Sequence, residues 1–202
     1  MSKVFFDFAA AESKDRYKLL TGLVVPRPIG WIGTRRPDGT FNLAPFSFFN
    51  VVSSNPPVVL FSAGSHPDRP KDSSTFAIES GEFTVNVVSE ETVEAMSVTS
   101  GQFTADHDEF EAAGLTPVPA KVVDAPLVAE SPANLECRVA RVVELGEQAR
   151  TRVVFGDVVA VHVREDVLDG TRIDQDALRA VGRMAGNTYV NTRARFDIQR
   201  PG

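Results

Sequence analysis

Two adjacent runs concentrate the side chains best suited to holding a ligand. Arg27-Pro28-Ile29-Gly30-Trp31-Ile32-Gly33-Thr34 is followed closely by Asn42-Leu43-Ala44-Pro45-Phe46-Ser47-Phe48-Phe49-Asn50. Together they mix tight backbone, a Trp, several Phe rings and short polar groups. A plain core has no need of that mixture, because Pro weakens strands and buried Ser and Asn require hydrogen-bond partners. A site for a flat, partly polar aromatic ligand does need it. A pair such as Phe46 and Phe48 is more often barrel core than ligand platform, and Trp31 carries the same ambiguity.

Two further segments carry donors for an anion. His66-Pro67-Asp68-Arg69-Pro70-Lys71-Asp72-Ser73-Ser74-Thr75 sets cations and hydroxyls ahead of an expected helix N-terminus. Backbone N–H groups and the helix dipole favour an anion there, and Lys71 adds a full positive charge. Asp72 opposes this unless it caps the helix or fixes Lys71. Taken alone, the run also fits a polar loop with an N-cap. Gly182-Arg183-Met184-Ala185-Gly186-Asn187-Thr188-Tyr189 combines close backbone approach with an Arg able to fork onto phosphate or carboxylate oxygens. It fits a surface ion pair on a C-terminal loop as readily.

Other chemistries find little footing. There is no G-x-G-x-x-G and no G-x-x-x-x-G-K-[ST], so Rossmann and P-loop sites are unsupported. His66, His107 and His162 are far apart in sequence and lack helical ligand spacing, so no metal site is expected. Asp106-His107-Asp108-Glu109 reads as the acidic first turn of a helix, not as an acid/base cluster. Glu90-Glu91 reads the same way. Cys137 lies in an alternating apolar run and is expected to be a buried, inert thiol.

The elements that must position these groups are mostly strands. Strand signals cover residues 19–25, 31–34, 58–62, 83–88, 135–145 and 152–163. Pro37-Asp38-Gly39 predicts a hairpin turn with 41–52 as the return strand, and 53–57 predicts another turn. Over 152–163 the period is two, with Val153, Phe155, Asp157, Val159, Val161 and Val163 on one face and His162 on the other. Helices are expected over 73–80 with Asp72 or Ser73 as N-cap, then over 93–98, 106–113 and 174–180. Non-local strands with short helices predict a mainly β fold, a barrel with helical additions.

Length and composition set the outer bounds. At 202 residues, 43% hydrophobic and 24% charged, the chain suits one domain, residues 1–202, with a sizeable core. A net charge of -6 without a basic run argues against nucleic acid. One Cys excludes an internal disulfide. The N-terminus makes a poor secretory signal and no segment has a bilayer-spanning length, so a cytoplasmic protein without membrane contact is expected.

Four separated stretches resemble the flavin reductase-like, FMN-binding split-barrel family, which includes flavoredoxins: R-P-I-G-W-I-G-T, N-L-A-P-F-S-F-F, R-P-K-D-S followed by G-E-F-T-V-N, and G-R-M-A-G-N-T-Y. They span most of residues 15–190 in the family's order. The resemblance implies a split β-barrel that forms a homodimer and holds FMN near the subunit interface. It implies that residues around Trp31 and Ile32 and the segment Ala44 to Phe49, with Ala44, Pro45, Ser47, Phe48 and Phe49 as contacts, line the flavin ring, with Ser47 as a polar contact. Ser62 and Ala63 would lie under the ribityl chain, Lys71 and Ser73 would hold the phosphate, and Arg183 would add an anion contact. Ser73 stands where Thr is frequent, which keeps the hydroxyl, and Phe76 where Asn is frequent, which loses a contact. The implied activity is hydride transfer from NADH or NADPH to FMN, with electrons passed to flavin, oxygen, a small acceptor or a redox partner protein. An electron-transfer flavoprotein reduced by a partner, and a barrel that binds a flat ligand without turnover, are the alternatives.

Overall fold

Residues 19–23 do not start a strand; they finish helix α1 (Ser13–Leu23). So short an apolar run carries no period of its own, and the polar residues ahead of it supply the first turn, with Asp15 favourably placed toward the dipole. This structure is a computed structural model that describes residues 1–66, 68–101, 103, 108–147 and 150–201.

β1 (Gly30–Arg35) and β2 (Phe41–Phe46) form the expected hairpin, with Thr40 N donating to Asp38 Oδ1 at 2.9 Å in the turn. The return strand expected over 41–52 is broken. It bends at Ser47 and Phe48, and β3 (Phe49–Ser54) pairs instead with β4 (Pro57–Gly64). Helix α2 (Asp72–Ser80) leads into β5 (Glu82–Val87). Next come α3 (Val93–Val98) and α4 (Glu109–Ala113), then the short pair β6 (Pro117–Pro119) and β7 (Pro126–Val128). The long hairpin β8 (Ala133–Leu145) and β9 (Thr151–Val163) follows. The chain closes with β10 (Leu168–Asp169), β11 (Arg172–Ile173), α5 (Gln175–Leu178), β12 (Val181–Arg183) and β13 (Tyr189–Asn191).

The caps explain where the helices begin. Asp108 accepts from Phe110 N at 2.8 Å, so α4 starts later than expected, and Gly114 ends it at φ 65. Asp106 and His107 lie outside the described residues. Asp174 caps α5. α2 differs from expectation, because its N-cap is Lys71, whose side chain makes no capping hydrogen bond.

Seven antiparallel strands make one sheet in the order β2-β1-β5-β8-β9-β4-β3. β2 and β3 are consecutive in the chain yet occupy opposite edges, joined only by Ser47 and Phe48. The sheet must therefore curl until its edges approach, and Phe46 of β2 sits 5.2 Å from Phe61 of β4, ring to ring. The edges are not paired with each other, which leaves an open, split barrel. Inside lie Ile32, Phe46, Phe61, Phe83 and Val154, plugged by Ala77 of α2. Each fully buried side chain of that size contributes about 1.5–3 kcal/mol.

A second core lies on the other side of β1, where Trp31, Leu43, Met96 and Phe110 pack between the sheet, α3 and α4. β1 is therefore buried on both faces. The period expected for β9 is present, but its inner face is Val154, Gly156 and Val158, and the odd-numbered face carries the exposed Val159 and Val161. Gly156 makes room for the Phe83 ring, which a Cβ there would approach to 2.4 Å. Cys137 faces the first core, and burial pushes its thiol up to about 12.

One carboxylate is wholly enclosed. Glu136 accepts from the backbone N–H of Lys121, Val122 and Val123 at 2.9, 2.6 and 2.9 Å, and its Oε1 lies 2.5 Å from His162 Nε2. His162 is thus tied to the strand beside it rather than free on the surface. No helix among the described residues is long and apolar enough to cross a membrane.

Candidate functional site

The break at Ser47 and Phe48 opens a recess, a cavity of about 910 Å³ between the barrel edge and the C-terminal hairpin. Its volume falls within the range of about 300–1,000 Å³ common for small-molecule sites. The bend itself supplies one wall, with Ala44, Pro45, Ser47 and Phe48. Ser62 of β4 lies beneath, held in place by the bond from its N–H to Phe48 O at 2.8 Å.

The start of α2 forms one end of the cavity, where Lys71 and Ser73 line it. A helix leaves its first N–H groups without internal acceptors, and no side chain caps this one. Thr75 N donates to Lys71 O at 3.2 Å, and the N–H groups of Asp72, Ser73 and Ser74 have no acceptor among the described residues, which leaves them for a ligand. Lys71 has no carboxylate partner among the described residues, and its ammonium sits 5.6 Å from the Phe46 ring centre. Asp72, which would oppose an anion, pairs with Arg69 instead. Ser73 is buried, and its hydroxyl accepts from Asn42 Nδ2 at 2.9 Å, which leaves its hydrogen to donate. This donor set fits a phosphate, and the bend fits a flat ring beside it.

The opposite wall comes from the C-terminal hairpin. Arg183 of β12 lines the cavity, its guanidinium stacked 4.4 Å from the Tyr189 ring and bonded to Gly186 O. β12 is anchored by the backbone bridge to Arg27, with Arg183 N donating to Arg27 O at 2.8 Å.

Eight of the residues expected at the site therefore come together: Ala44, Pro45, Ser47, Phe48, Ser62, Lys71, Ser73 and Arg183. Four do not line the cavity. Trp31 points into the second core and donates from Nε1 to Thr99 Oγ1 at 2.9 Å. Ile32 and Ala63 belong to the barrel interior. The Phe49 ring lies over Gly30, where a Cβ would come within 2.5 Å of it. Alternation on double-faced strands sends these side chains inward while their neighbours reach the cavity.

Two residues with large roles had no role assigned from sequence. Asn42 is buried and ties β1 to α2 through Thr34 and Ser73. Arg27 is buried and bonds to α1, the bend and the C-terminal hairpin. A polar residue between two apolar neighbours, as in Phe41-Asn42-Leu43, was the available signal for Asn42. Glu109 also borders the cavity; burial pushes its carboxyl up, and Arg36 Nη2 pairs with it at 3.0 Å.

Known proteins share both sequence and fold with this chain. A family model described as flavin reductase like domain matches residues 22–182. An uncharacterized protein of Deinococcus radiodurans is 44% identical across 99% of this chain and 91% of its own length. Nitrilotriacetate monooxygenase component B from Bacillus cereus superposes with a TM-score of 0.95 at 33% identity, covering 98% of this chain and 100% of that one. The 2-nitrobenzoate 2-nitroreductase of Pseudomonas fluorescens superposes with a TM-score of 0.90 at 28% identity, covering 98% of this chain and 96% of that one.

Proposed function

The chain belongs to the flavin reductase-like family, and from that premise we propose that it is an FMN-dependent oxidoreductase that takes a hydride from NADH or NADPH. The observation that carries the reading is the uncapped start of α2, with Lys71 lacking a carboxylate partner among the described residues, facing the same cavity as the Ser47–Phe48 bend. Membership of the family supports flavin binding and oxidoreductase activity.

When bound, FMN supplies a ring that accepts a hydride and releases electrons to an acceptor. The chain's own residues bind and orient. Lys71, the hydroxyl of Ser73 and the free N–H groups of α2 hold a doubly charged phosphate. Asn42 keeps Ser73 in place behind it. Phe48 and Pro45 offer apolar surface to the ring, while Ser47 offers a donor to its polar edge. No acid/base pair is needed from the protein. The acceptor is free flavin, oxygen, another small molecule or a redox partner protein.

The same reading makes the protein a homodimer, supported by apolar side chains left exposed on β3 and β9. It also places the protein in the cytoplasm, which suits a chain whose lone Cys137 is a free thiol.

The test is an absorption spectrum after saturation with FMN and desalting, followed by anaerobic addition of NADH or NADPH. Flavin bands near one equivalent per chain that bleach on addition support the reductase. Bands that bleach only with a partner reductase point to an electron-transfer flavoprotein. A colourless protein overturns the cofactor.

A further inference from the structure

We propose that Arg27 is a positioning residue that acts on the ligand through Ser47, an inference that rests on the function proposed above. Arg27 is only 7% exposed, yet it borders the cavity. Its Nη1 donates to Thr21 O at 2.7 Å and Val24 O at 2.8 Å, and its Nη2 to Met184 O at 3.0 Å. Its Nε donates to Ser47 Oγ at 3.3 Å. No carboxylate pairs with it among the described residues. A guanidinium does not lose its charge in a protein, and a buried charge without a counter-ion is costly. Three carbonyl dipoles and a hydroxyl offset part of that cost, and the remaining field falls on the cavity.

Ser47 transmits this field. Its oxygen accepts from Arg27, so its hydroxyl hydrogen is directed to another acceptor. Among the described residues the protein provides none. The side chain lines the cavity, which leaves the ligand as acceptor. Two electrons and one proton added to the oxidised ring leave one negative charge on it. A donor backed by a buried cation binds that reduced, charged ring more tightly than the neutral oxidised one. Arg27 and Ser47 together thus raise the midpoint potential of bound FMN.

The experiment uses the full-length FMN-loaded protein and three variants: Ser47→Ala, Arg27→Gln and Arg27→Lys. Midpoint potentials are read by anaerobic titration with dithionite as electron source, beside an indicator dye. Oxidised-FMN affinity and the melting temperature of the FMN-free protein are measured in parallel. Ser47→Ala and Arg27→Gln are expected to lower the ratio of reduced to oxidised affinity at least tenfold, a fall of about 30 mV for a two-electron couple. Arg27→Lys, which keeps the charge, returns part of the loss. Should Arg27→Gln fail to fold, Ser47→Ala decides alone, since it removes one oxygen from a half-buried side chain. Unchanged potentials overturn the inference, including when Arg27→Gln melts earlier, because Arg27 is then only a structural tie. Wild-type protein that retains FMN while its variants keep their potential overturns this inference alone. Wild-type protein that takes up no FMN overturns both readings.

Discussion

At the residue scale the cavity is assembled from side chains whose neighbours decide what they can do. Lys71 is available because Asp72 pairs with Arg69 rather than with it. Lys71→Ala is therefore expected to weaken FMN binding by about 1.5–3 kcal/mol, the worth of a charge-assisted bond, as read by fluorescence quenching. Unchanged affinity would remove Lys71 from the phosphate site. Glu136 makes a separate prediction about stability. Burial alone would raise its carboxyl, but His162 and three backbone N–H groups outweigh burial and bring it down from 4.5 to about 2. A depressed value means stability fully present above about pH 4.5 and lost as pH falls toward about 2. Glu136→Ala should flatten that acid limb in a plot of melting temperature against pH. It should also cost about 1–3 kcal/mol at neutral pH by orphaning buried donors. What sequence alone conveyed here was residue type: hydroxyls, a Lys and rings in the right segments. Burial was not legible, so Trp31 and Ile32 were expected in the site although β1 is covered on both faces.

At the element scale, turns and long strands were the most legible features. Pro37-Asp38-Gly39 marks its hairpin because Pro and Gly restrict backbone choices locally. The period of β9 was equally plain, whereas its inward face was not, since alternation is symmetric until something packs against one side. The break at Ser47 and Phe48 was hidden because Phe-rich sequence on both sides reads as one continuous strand. That break has a cost that can be tested. Phe49 begins β3 by laying its ring over Gly30, where a Cβ would lie 2.5 Å from Phe49 Cδ2. Gly30→Ala is expected to destabilise the protein by about 1–3 kcal/mol in urea denaturation, because the ring must leave a packed position. A variant as stable as the parent would show that the bend tolerates movement.

At the scale of the whole molecule, the run of non-local strand signals indicated the mainly β fold that the structure has, while the dimer proposed above rests on exposed apolar side chains. Val159 and Val161 remain 39% and 56% exposed on β9, and Val51 and Val52 remain 65% and 48% exposed on β3. Replacing Val159 and Val161 together with Glu is expected to convert a two-chain particle into a single chain by light scattering. A wild-type particle of one-chain mass would end the dimer proposal.

The bond from Arg27 to Met184 O joins residues 157 positions apart, and the cavity wall beside it includes Arg183 and Tyr189. A contact so distant forms late, since loop closure must precede it. On a chain still emerging from the ribosome the recess therefore lacks this wall, even when the bend and the start of α2 have been made. On the proposed function, a product lacking the C-terminal hairpin is expected to retain less FMN than the full chain, as read by flavin absorbance after desalting.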